Sequence, residues 1–115
     1  MNVRKIKLLR RKSPVGKFLR LPFKLIPYNT ILWIISGPLR GWRWIKGSHN
    51  LSVILGTYER VQSREFIRSA ENVAVFWDLG AHVGYYSLLF RARNPMGEIV
   101  AFEPAEMNAR LFNKH

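Results

Sequence analysis

Two acids and two glycines stand at spacings that could build a nucleoside-binding site. Asp78 ends an apolar run, and Gly80 and Gly84 follow it before an amphipathic stretch begins. A second apolar run ends in Glu103, nineteen residues after Gly84. The order predicts a strand, a glycine turn, a helix and a parallel strand. Both acids would then lie at the carboxyl ends of the strands, where open α/β sheets bind ligands. We therefore predict a site for an adenosine-containing cofactor.

The glycine turn would bring backbone groups to this site. Glycine adopts conformations, and allows close approaches, that a Cβ atom would prevent. Gly80 and Gly84 precede a helix that is predicted to begin near Tyr85. The free N–H groups and partial positive charge of such a helix end favour a carboxylate or a phosphate. Many turns between a strand and a helix contain glycine for packing alone, and that interpretation stays open here.

The two acids narrow the class of ligand. A dinucleotide-binding turn of the G-x-G-x-x-G type would place glycine where this chain has Asp78, Gly80 and Val83. A carboxylate at position 78 would repel a pyrophosphate and would suit an ammonium or sulfonium group. Glu103 could accept two hydrogen bonds from a ribose diol. The alternatives are a helix-capping role for Asp78 and a solvated strand end for Glu103.

Hydrophobic periodicity predicts the elements that carry these residues. Residues 59–115 read as α-β-α-β-α, and the run 73–77 is typical of a strand covered on both faces. Upstream, residues 41–45 alternate as a strand, and 51–55 could pair back on it. The other predicted elements are helices at 59–70, 85–93 and 105–115, a strand at 98–102 and a turn at 46–50. The predicted inward residues of the first helix are Val61, Phe66, Ile67 and Ala70.

The stretch from Phe76 to Pro104 resembles a known family. An Asp-x-Gly-Ala-x-x-Gly turn followed by a strand ending in Phe-Glu-Pro is similar to the S-adenosylmethionine site of class I methyltransferases. It resembles the FkbM family more closely. The residues that carry the resemblance are 76–88, 97–104 and Asn108, with looser likeness at 37–41 and 56–59. The resemblance implies an α/β, Rossmann-like class I methyltransferase fold, truncated after the second parallel strand and its following helix.

This resemblance implies methyl transfer from S-adenosylmethionine, usually to a hydroxyl oxygen of a sugar, a glycan or a natural product. Asp78 would meet the methionine end of the cofactor, and Glu103 would hold the ribose. His82 would form part of the cofactor wall, and the small residues of the turn would supply backbone donors and clearance. The predicted cofactor-binding residues are Asp78, Gly80, Ala81, His82, Gly84 and Glu103.

The catalytic group is not predicted from these residues. An oxygen acceptor benefits from a base that takes its proton, and we expect that base beyond His115. We interpret residues 37–115 as the N-terminal, cofactor-binding half of a methyltransferase domain, and we expect the isolated fragment to be inactive. Tyr58 and Glu59 either line the pocket or simply begin a helix. His115 is given no role, and no metal site is predicted.

Positive charge is concentrated in the N-terminal part of the chain. Residues 1–47 hold 12 Lys and Arg and no acid, whereas 48–115 hold 7 of each sign. We interpret residues 1–36 as a basic leader, partly disordered or peripheral. Residues 1–47 could contact an anionic membrane, and a membrane- or nucleic-acid-binding module is the alternative function, with the membrane preferred. A nicotinamide-dependent Rossmann oxidoreductase fragment is a further alternative.

Cysteine and hydropathy patterns exclude other classes of protein. The chain has no cysteine, so it has no disulfides, thiolate nucleophiles or cysteine-bound metals. Its longest apolar run in the leader, residues 31–35, is far shorter than the ~20 residues of a membrane-spanning helix. Charged residues and prolines interrupt any secretory signal. We therefore predict a cytoplasmic protein that could be peripheral to a membrane.

Overall fold

Two small sheets with helices around them form the part of the chain that the computed structural model describes, residues 21–48 and 51–115. The predicted α/β class is confirmed at this level, and residues 1–20 of the predicted leader lie outside the described residues. The first sheet is antiparallel and pairs β1 with β2; the second is parallel and pairs β3 with β4. The strands are β1 (Ile31–Trp33), β2 (Arg43–Ile45), β3 (Val75–Leu79) and β4 (Glu98–Phe102). The helices are α1 (Leu51–Ile54), α2 (Arg60–Ser69), α3 (Tyr85–Arg93) and α4 (Glu106–Phe112), with residues 21–25 also helical and a 3-10 turn at Lys46–Ser48.

The β3-α3-β4 unit places the two predicted acids at one edge. β3 and β4 are parallel, with Asp78 opposite Ala101 and Leu79 opposite Phe102. Glu103 follows Phe102 directly, so both acids lie at the carboxyl ends of the strands, as predicted. The predicted bounds of α3 and β4 agree with those observed. Strong apolar runs with glycine or proline at their ends account for this agreement.

Only one face of the β3–β4 sheet is covered by described residues. Phe76 contacts Phe66 of α2 and Phe90 of α3, with ring centroids 5.1 and 5.3 Å apart. On the opposite face, Trp77 and Leu79 are 63% and 74% exposed. The prediction of a strand covered on both faces is therefore wrong for this chain. The described helices pack against a single side, and alternation turns every second side chain of β3 away from them.

The main core joins the antiparallel sheet to α3 and α4. Trp44 is fully buried, and it contacts Tyr85 of α3 edge to face with centroids 6.5 Å apart. Burial of a large aromatic surface dominates the energetics of a small core. The buried members of this cluster are Ile34, Leu39, Trp44, Ile45, Val53, Ile54, Val83, Tyr85, Leu89 and Leu111. The segment before residue 59 thus fixes the position of α3, and through α3 the glycine turn.

Two predictions about the N-terminal half need correction. Residues 51–55 do not form a strand; Leu55 donates to the Leu51 carbonyl at 3.0 Å, which closes one helical turn. Val61 is 70% exposed, so it does not face inward. Ser63 is buried in its place. It shares the inward face of α2 with Ala70, seven residues later, whereas a residue two positions before Ser63 projects to the far side. The predicted turn at 46–50 is a 3-10 turn over 46–48, and 49–50 lie outside the described residues.

Candidate functional site

The glycine turn after β3 is folded onto the end of β4. The backbone N–H groups of Gly80 and Ala81 both donate to the carbonyl of Phe102, at 2.8 and 3.0 Å. The N–H of Gly84 donates to the Ala81 carbonyl at 2.9 Å. These three donors are therefore satisfied within the protein. The expectation that Gly80, Ala81 and Gly84 supply free backbone donors to a cofactor is wrong for this conformation, because each N–H is already used.

The two glycines of the turn differ in what surrounds them. Both have a left-handed backbone, with φ of 75° at Gly80 and 91° at Gly84. A Cβ atom at Gly84 would lie 2.6 Å from the Phe112 ring, whereas a Cβ atom at Gly80 would meet nothing within 4 Å. Packing against Phe112 therefore accounts for the glycine at position 84, and the clearance for a cofactor stays a prediction at Gly80. Gly84 is required for packing, and Gly80 leaves space open.

Glu103 is fixed beside the turn by two backbone donors. Ala105 N–H donates to Oε1 at 2.8 Å, and His82 N–H donates to Oε2 at 2.7 Å. The Ala105 hydrogen bond, supported by that of His82, holds the pKa of the Glu103 carboxyl below its usual range. The two carboxylate oxygens have four acceptor sites in all, and the Asn108 side chain is a third donor to them. One acceptor site therefore remains for a hydroxyl of a diol, rather than the two that the sequence analysis predicted.

Asp78 is held by a residue that the sequence analysis did not single out. Its side chain is nearly buried, and Ser87 Oγ donates to Asp78 Oδ2 at 2.6 Å. Ser87 lies three residues after Gly84, in the first turn of α3. The sequence signal for this partner was the hydroxyl of Ser87, one turn into the helix that follows the glycine turn. The hydrogen bond leaves the other carboxylate oxygen, Oδ1, for a ligand.

A cavity of about 190 Å³ lies beside this turn, and we call it the acidic cavity. Four of the six predicted cofactor residues line it, namely Asp78, Gly80, Ala81 and His82. Gly84 and Glu103 do not; Gly84 packs on Phe112, and Glu103 contacts the lining through the His82 backbone. The volume is below the ~300 Å³ lower end of the range for small-molecule sites. It would hold part of a nucleoside cofactor rather than all of it.

The remaining wall of the acidic cavity comes from Val83 of the turn and from residues outside the turn. They are Trp44, Val53, Tyr58, Glu59, Val83, Tyr85 and Tyr86. Tyr58 and Glu59 thus line a cavity, and Glu59 also stands immediately before α2, so both interpretations that were left open describe these residues. Among the described residues, the lining contains two carboxylates, four tryptophan and tyrosine side chains and the His82 imidazole, but no lysine or arginine. Carboxylates and aromatic faces both attract a cation, so the cavity favours a positively charged group.

Glu59 is held in the acidic cavity by an unusual backbone and a phenol. Its φ of 38° and ψ of 49° are left-handed, a conformation that costs roughly 1–2 kcal/mol for a residue with a side chain. Tyr86 Oη donates to Glu59 Oε2 at 2.5 Å. Burial, followed by this hydrogen bond and the charge of Glu59, raises the pKa of Tyr86 far above its ordinary value. The phenol therefore stays protonated and continues to donate to the carboxylate.

His115 packs on Trp44 behind the acidic cavity, although no role was predicted for it. Its ring stacks on Trp44 with centroids 4.4 Å apart, and its Nε2 lies 2.8 Å from Ser48 Oγ. Burial lowers the pKa of His115 to about 4. A neutral imidazole is consequently the form that supports Trp44. This contact joins residues 67 positions apart, which no local sequence pattern reveals.

Comparison with protein-family models, with curated proteins and with solved structures finds no match to this chain. None of the helices within residues 21–48 and 51–115 combines the length and the apolar character needed to cross a bilayer.

Proposed function

We propose that this chain carries the S-adenosylmethionine site of a Rossmann-like class I methyltransferase similar to the FkbM family. One observation carries the proposal. The turn after β3 joins Asp78, in the acidic cavity, to Glu103, whose carboxylate accepts the His82 N–H at 2.7 Å. A site for a cation thus lies next to an acceptor for a ribose diol, at the carboxyl edge of two parallel strands.

The acidic cavity suits the methionine end of this cofactor. The sulfonium and the ammonium of S-adenosylmethionine are both cationic, and the cavity offers the carboxylates of Asp78 and Glu59 beside aromatic rings. Asp78 Oδ1 would accept a hydrogen bond from the ammonium, while Ser87 fixes the other oxygen. Glu103 would accept a hydrogen bond from a ribose hydroxyl. The open space at Gly80 would admit cofactor atoms.

The cofactor would supply the methyl group, which passes from sulfur to an acceptor oxygen in an in-line displacement. Such a reaction depends mainly on holding the two reactants in line. The contribution of this chain would be to bind and orient the cofactor through Asp78, Glu59 and Glu103. The acceptor we propose is a hydroxyl of a sugar, a glycan or a natural product, and its base is not among the residues assigned here.

A dinucleotide fits these residues less well. Dinucleotide turns bind the pyrophosphate through backbone N–H groups at the start of a helix. Here the N–H groups of Gly80, Ala81 and Gly84 are bonded to protein carbonyls. The carboxylates of Asp78 and Glu59 would in addition repel the phosphates. These observations favour S-adenosylmethionine over a nicotinamide cofactor.

Calorimetry with S-adenosylmethionine tests the proposal on the whole chain. We expect Asp78→Asn and Glu103→Gln each to weaken binding at least about tenfold, since each replaces a charged acceptor of a hydrogen bond by a neutral one. Glu98→Gln is the matched control, because Glu98 is exposed at the opposite end of the strand that leads to Glu103. Unchanged affinity in both test variants, or tight binding of a nicotinamide dinucleotide instead, would contradict the proposal.

A further inference from the structure

A second cavity, of about 300 Å³, lies on the other side of Tyr58 from the glycine turn. Three arginines of α2 line it, Arg60, Arg64 and Arg68, and we call it the arginine groove. Their spacing of four residues places all three on one face of the helix. Among the described residues that line the groove, none is acidic. The groove is therefore a concave surface with concentrated positive charge.

The wall opposite the arginines is rigid backbone. Gly37 and Gly56 line the groove and pack on each other, and a Cβ atom at Gly56 would lie 2.1 Å from the Ser36 carbonyl oxygen. Ile35 N–H also donates to the Ile54 carbonyl at 2.9 Å, which fixes the two turns together. The arginines thus face a wall that cannot easily close on them. This geometry distinguishes the groove from a run of charges on a convex, solvated helix face.

Arg60 interacts with another residue of the protein, whereas Arg64 and Arg68 are little neutralised by the described residues. Arg68 pairs with Glu65 at 3.1 Å, but both side chains are more than half exposed, so this pair contributes little. Arg64 has no hydrogen bond or ion pair with any residue in the described ranges. Like charges four residues apart disfavour a helix. An anion held between the arginines would relieve that repulsion.

The arginine groove and the acidic cavity share a wall. Tyr58 lines both cavities. Ser63 lines the groove, and its Oγ lies 2.8 Å from Tyr85 Oη, which belongs to the acidic cavity. A molecule in the groove would therefore be a neighbour of a cofactor in the acidic cavity. Opposite charges on the two sides of one tyrosine suit two ligands of opposite charge.

We infer that the arginine groove binds a phosphate group of the methyl acceptor. The inference rests on the proposed function, because it assigns the occupant of the adjacent cavity to the cofactor. The planar guanidinium matches phosphate oxygens with paired hydrogen bonds, and arginine is the preferred residue for such recognition. The acceptor is accordingly a phosphorylated molecule, either a soluble sugar phosphate or a phospholipid-linked glycan.

The test is titration calorimetry of the whole chain with inorganic pyrophosphate. The triple variant R60Q/R64Q/R68Q empties the groove of charge. The triple variant R40Q/R43Q/K114Q removes the same charge from exposed positions elsewhere. We expect the groove variant to bind pyrophosphate at least about tenfold more weakly, and the control less than about threefold. Equal losses of pyrophosphate affinity in the two variants, or no detectable binding by the wild-type chain, would overturn the proposal that the groove binds phosphate.

Two further titrations separate the possible outcomes. If the groove variant loses its helical circular dichroism, the single variant Arg64→Gln replaces it, and we expect its affinity for pyrophosphate to fall about threefold.

S-adenosylmethionine should bind the wild type and both triple variants with the same affinity. Groove-specific pyrophosphate binding without any S-adenosylmethionine binding would reject the cofactor proposal while keeping an anion site. The converse result would reject the groove alone. Tighter binding of dihexanoyl phosphatidic acid than of glucose 1-phosphate would identify the lipid source, and the reverse order the soluble one.

Discussion

The acidic cavity and the arginine groove have opposite charges although adjacent residues line them. Glu59 lies in the acidic cavity, and Arg60, the next residue, lines the groove. The left-handed backbone of Glu59 makes this possible, because α2 begins immediately after it and its arginines then follow the helical repeat. One strained residue at the start of a helix thus separates the two charges. The backbone conformation at the start of α2, and not only the order of residues, therefore determines which cavity each charge lines.

The two cavities also differ in how their walls are built. The acidic cavity is formed by side chains from distant segments, with Trp44, Glu59 and Asp78 brought together by the core. The arginine groove takes its charge from one helix and its opposite wall from the glycine turns at 37 and 56. We therefore expect changes in the glycine turn after β3 to affect the acidic cavity strongly and the groove very little.

The same substitution at Gly80 and at Gly84 should give the largest contrast. Asparagine tolerates a left-handed backbone better than most residues, so Gly80→Asn should lose less stability than Gly84→Asn while its side chain fills open space in the acidic cavity. We expect affinity for S-adenosylmethionine to fall about 30-fold, given the ~1–3 kcal/mol that overfilled sites cost. Affinity for pyrophosphate should remain within about twofold. Calorimetry with both ligands checks this.

Gly84→Asn serves as the matched control for Gly80→Asn. Its Cβ would lie 2.6 Å from the Phe112 ring, so the change should lower the free energy of unfolding by about 1–3 kcal/mol. Urea unfolding followed by circular dichroism measures that difference. If Gly80→Asn proved the less stable variant, or left S-adenosylmethionine binding intact, the assignment of open ligand space at Gly80 would be wrong.

A smaller change in ligand affinity should identify whether Glu59 faces the sulfonium or the ammonium of the cofactor. S-adenosylmethionine and S-adenosylhomocysteine share the ammonium and the ribose, but only the first carries a sulfonium. If Glu59 faces the sulfonium, Glu59→Gln should weaken S-adenosylmethionine about tenfold and S-adenosylhomocysteine about twofold or less. Competition calorimetry with the two ligands measures the difference.

Tyr86→Phe is the control for this experiment, since it removes the hydrogen bond to Glu59 but keeps both the ring and the carboxylate charge. We expect it to weaken both ligands by a similar, smaller factor of about two to three. An equal loss of affinity for the two ligands in Glu59→Gln would place Glu59 near the ammonium. No loss for either ligand would place it away from the cofactor. Either result would remove the sulfonium assignment and leave the role of Asp78 to be judged separately.

Local sequence signals predicted the elements of the site better than its surroundings. The acids at positions 78 and 103 could be located because each ends an apolar run beside a glycine or a proline. Their neighbours Ser87, Ala105 and His82 supply the hydrogen bonds, and these follow from turn geometry that short patterns do not specify. The parallel pairing was predictable because a helix joins the two strands.

The parts that could not be predicted depend on long-range packing. Trp44 enters the wall of the acidic cavity because the antiparallel sheet packs on α3, and the sequence shows only that Trp44 alternates with arginine. The exposed face of β3 was missed because an apolar run indicates burial without showing what covers it. Residues 51–55 were misassigned because a short apolar segment has no clear period, and tertiary contacts decided its state.

The smallest expected effect concerns the support of the acidic cavity and its dependence on pH. Burial lowers the pKa of His115 to about 4, against an ordinary value of 6.5. The unfolded chain therefore binds more protons than the folded chain between these values, and stability falls as pH is lowered through this window. We expect a loss of about 1 kcal/mol from pH 7 to pH 5, after discounting for the partial exposure of the ring.

His115→Phe should flatten this pH dependence, because phenylalanine can stack on Trp44 but cannot titrate. Glu103, whose pKa is lowered, stabilises the fold above its ordinary value of 4.5 and loses that contribution only at more acidic pH, so the two titrations are separable. Urea unfolding at several pH values measures the slopes. If the free energy of unfolding had the same pH slope in the wild type and in His115→Phe, the neutral, buried His115 would not be the group that supports the cavity wall. Ligand titrations of the two cavities could then be compared down to about pH 5 without a correction for folding.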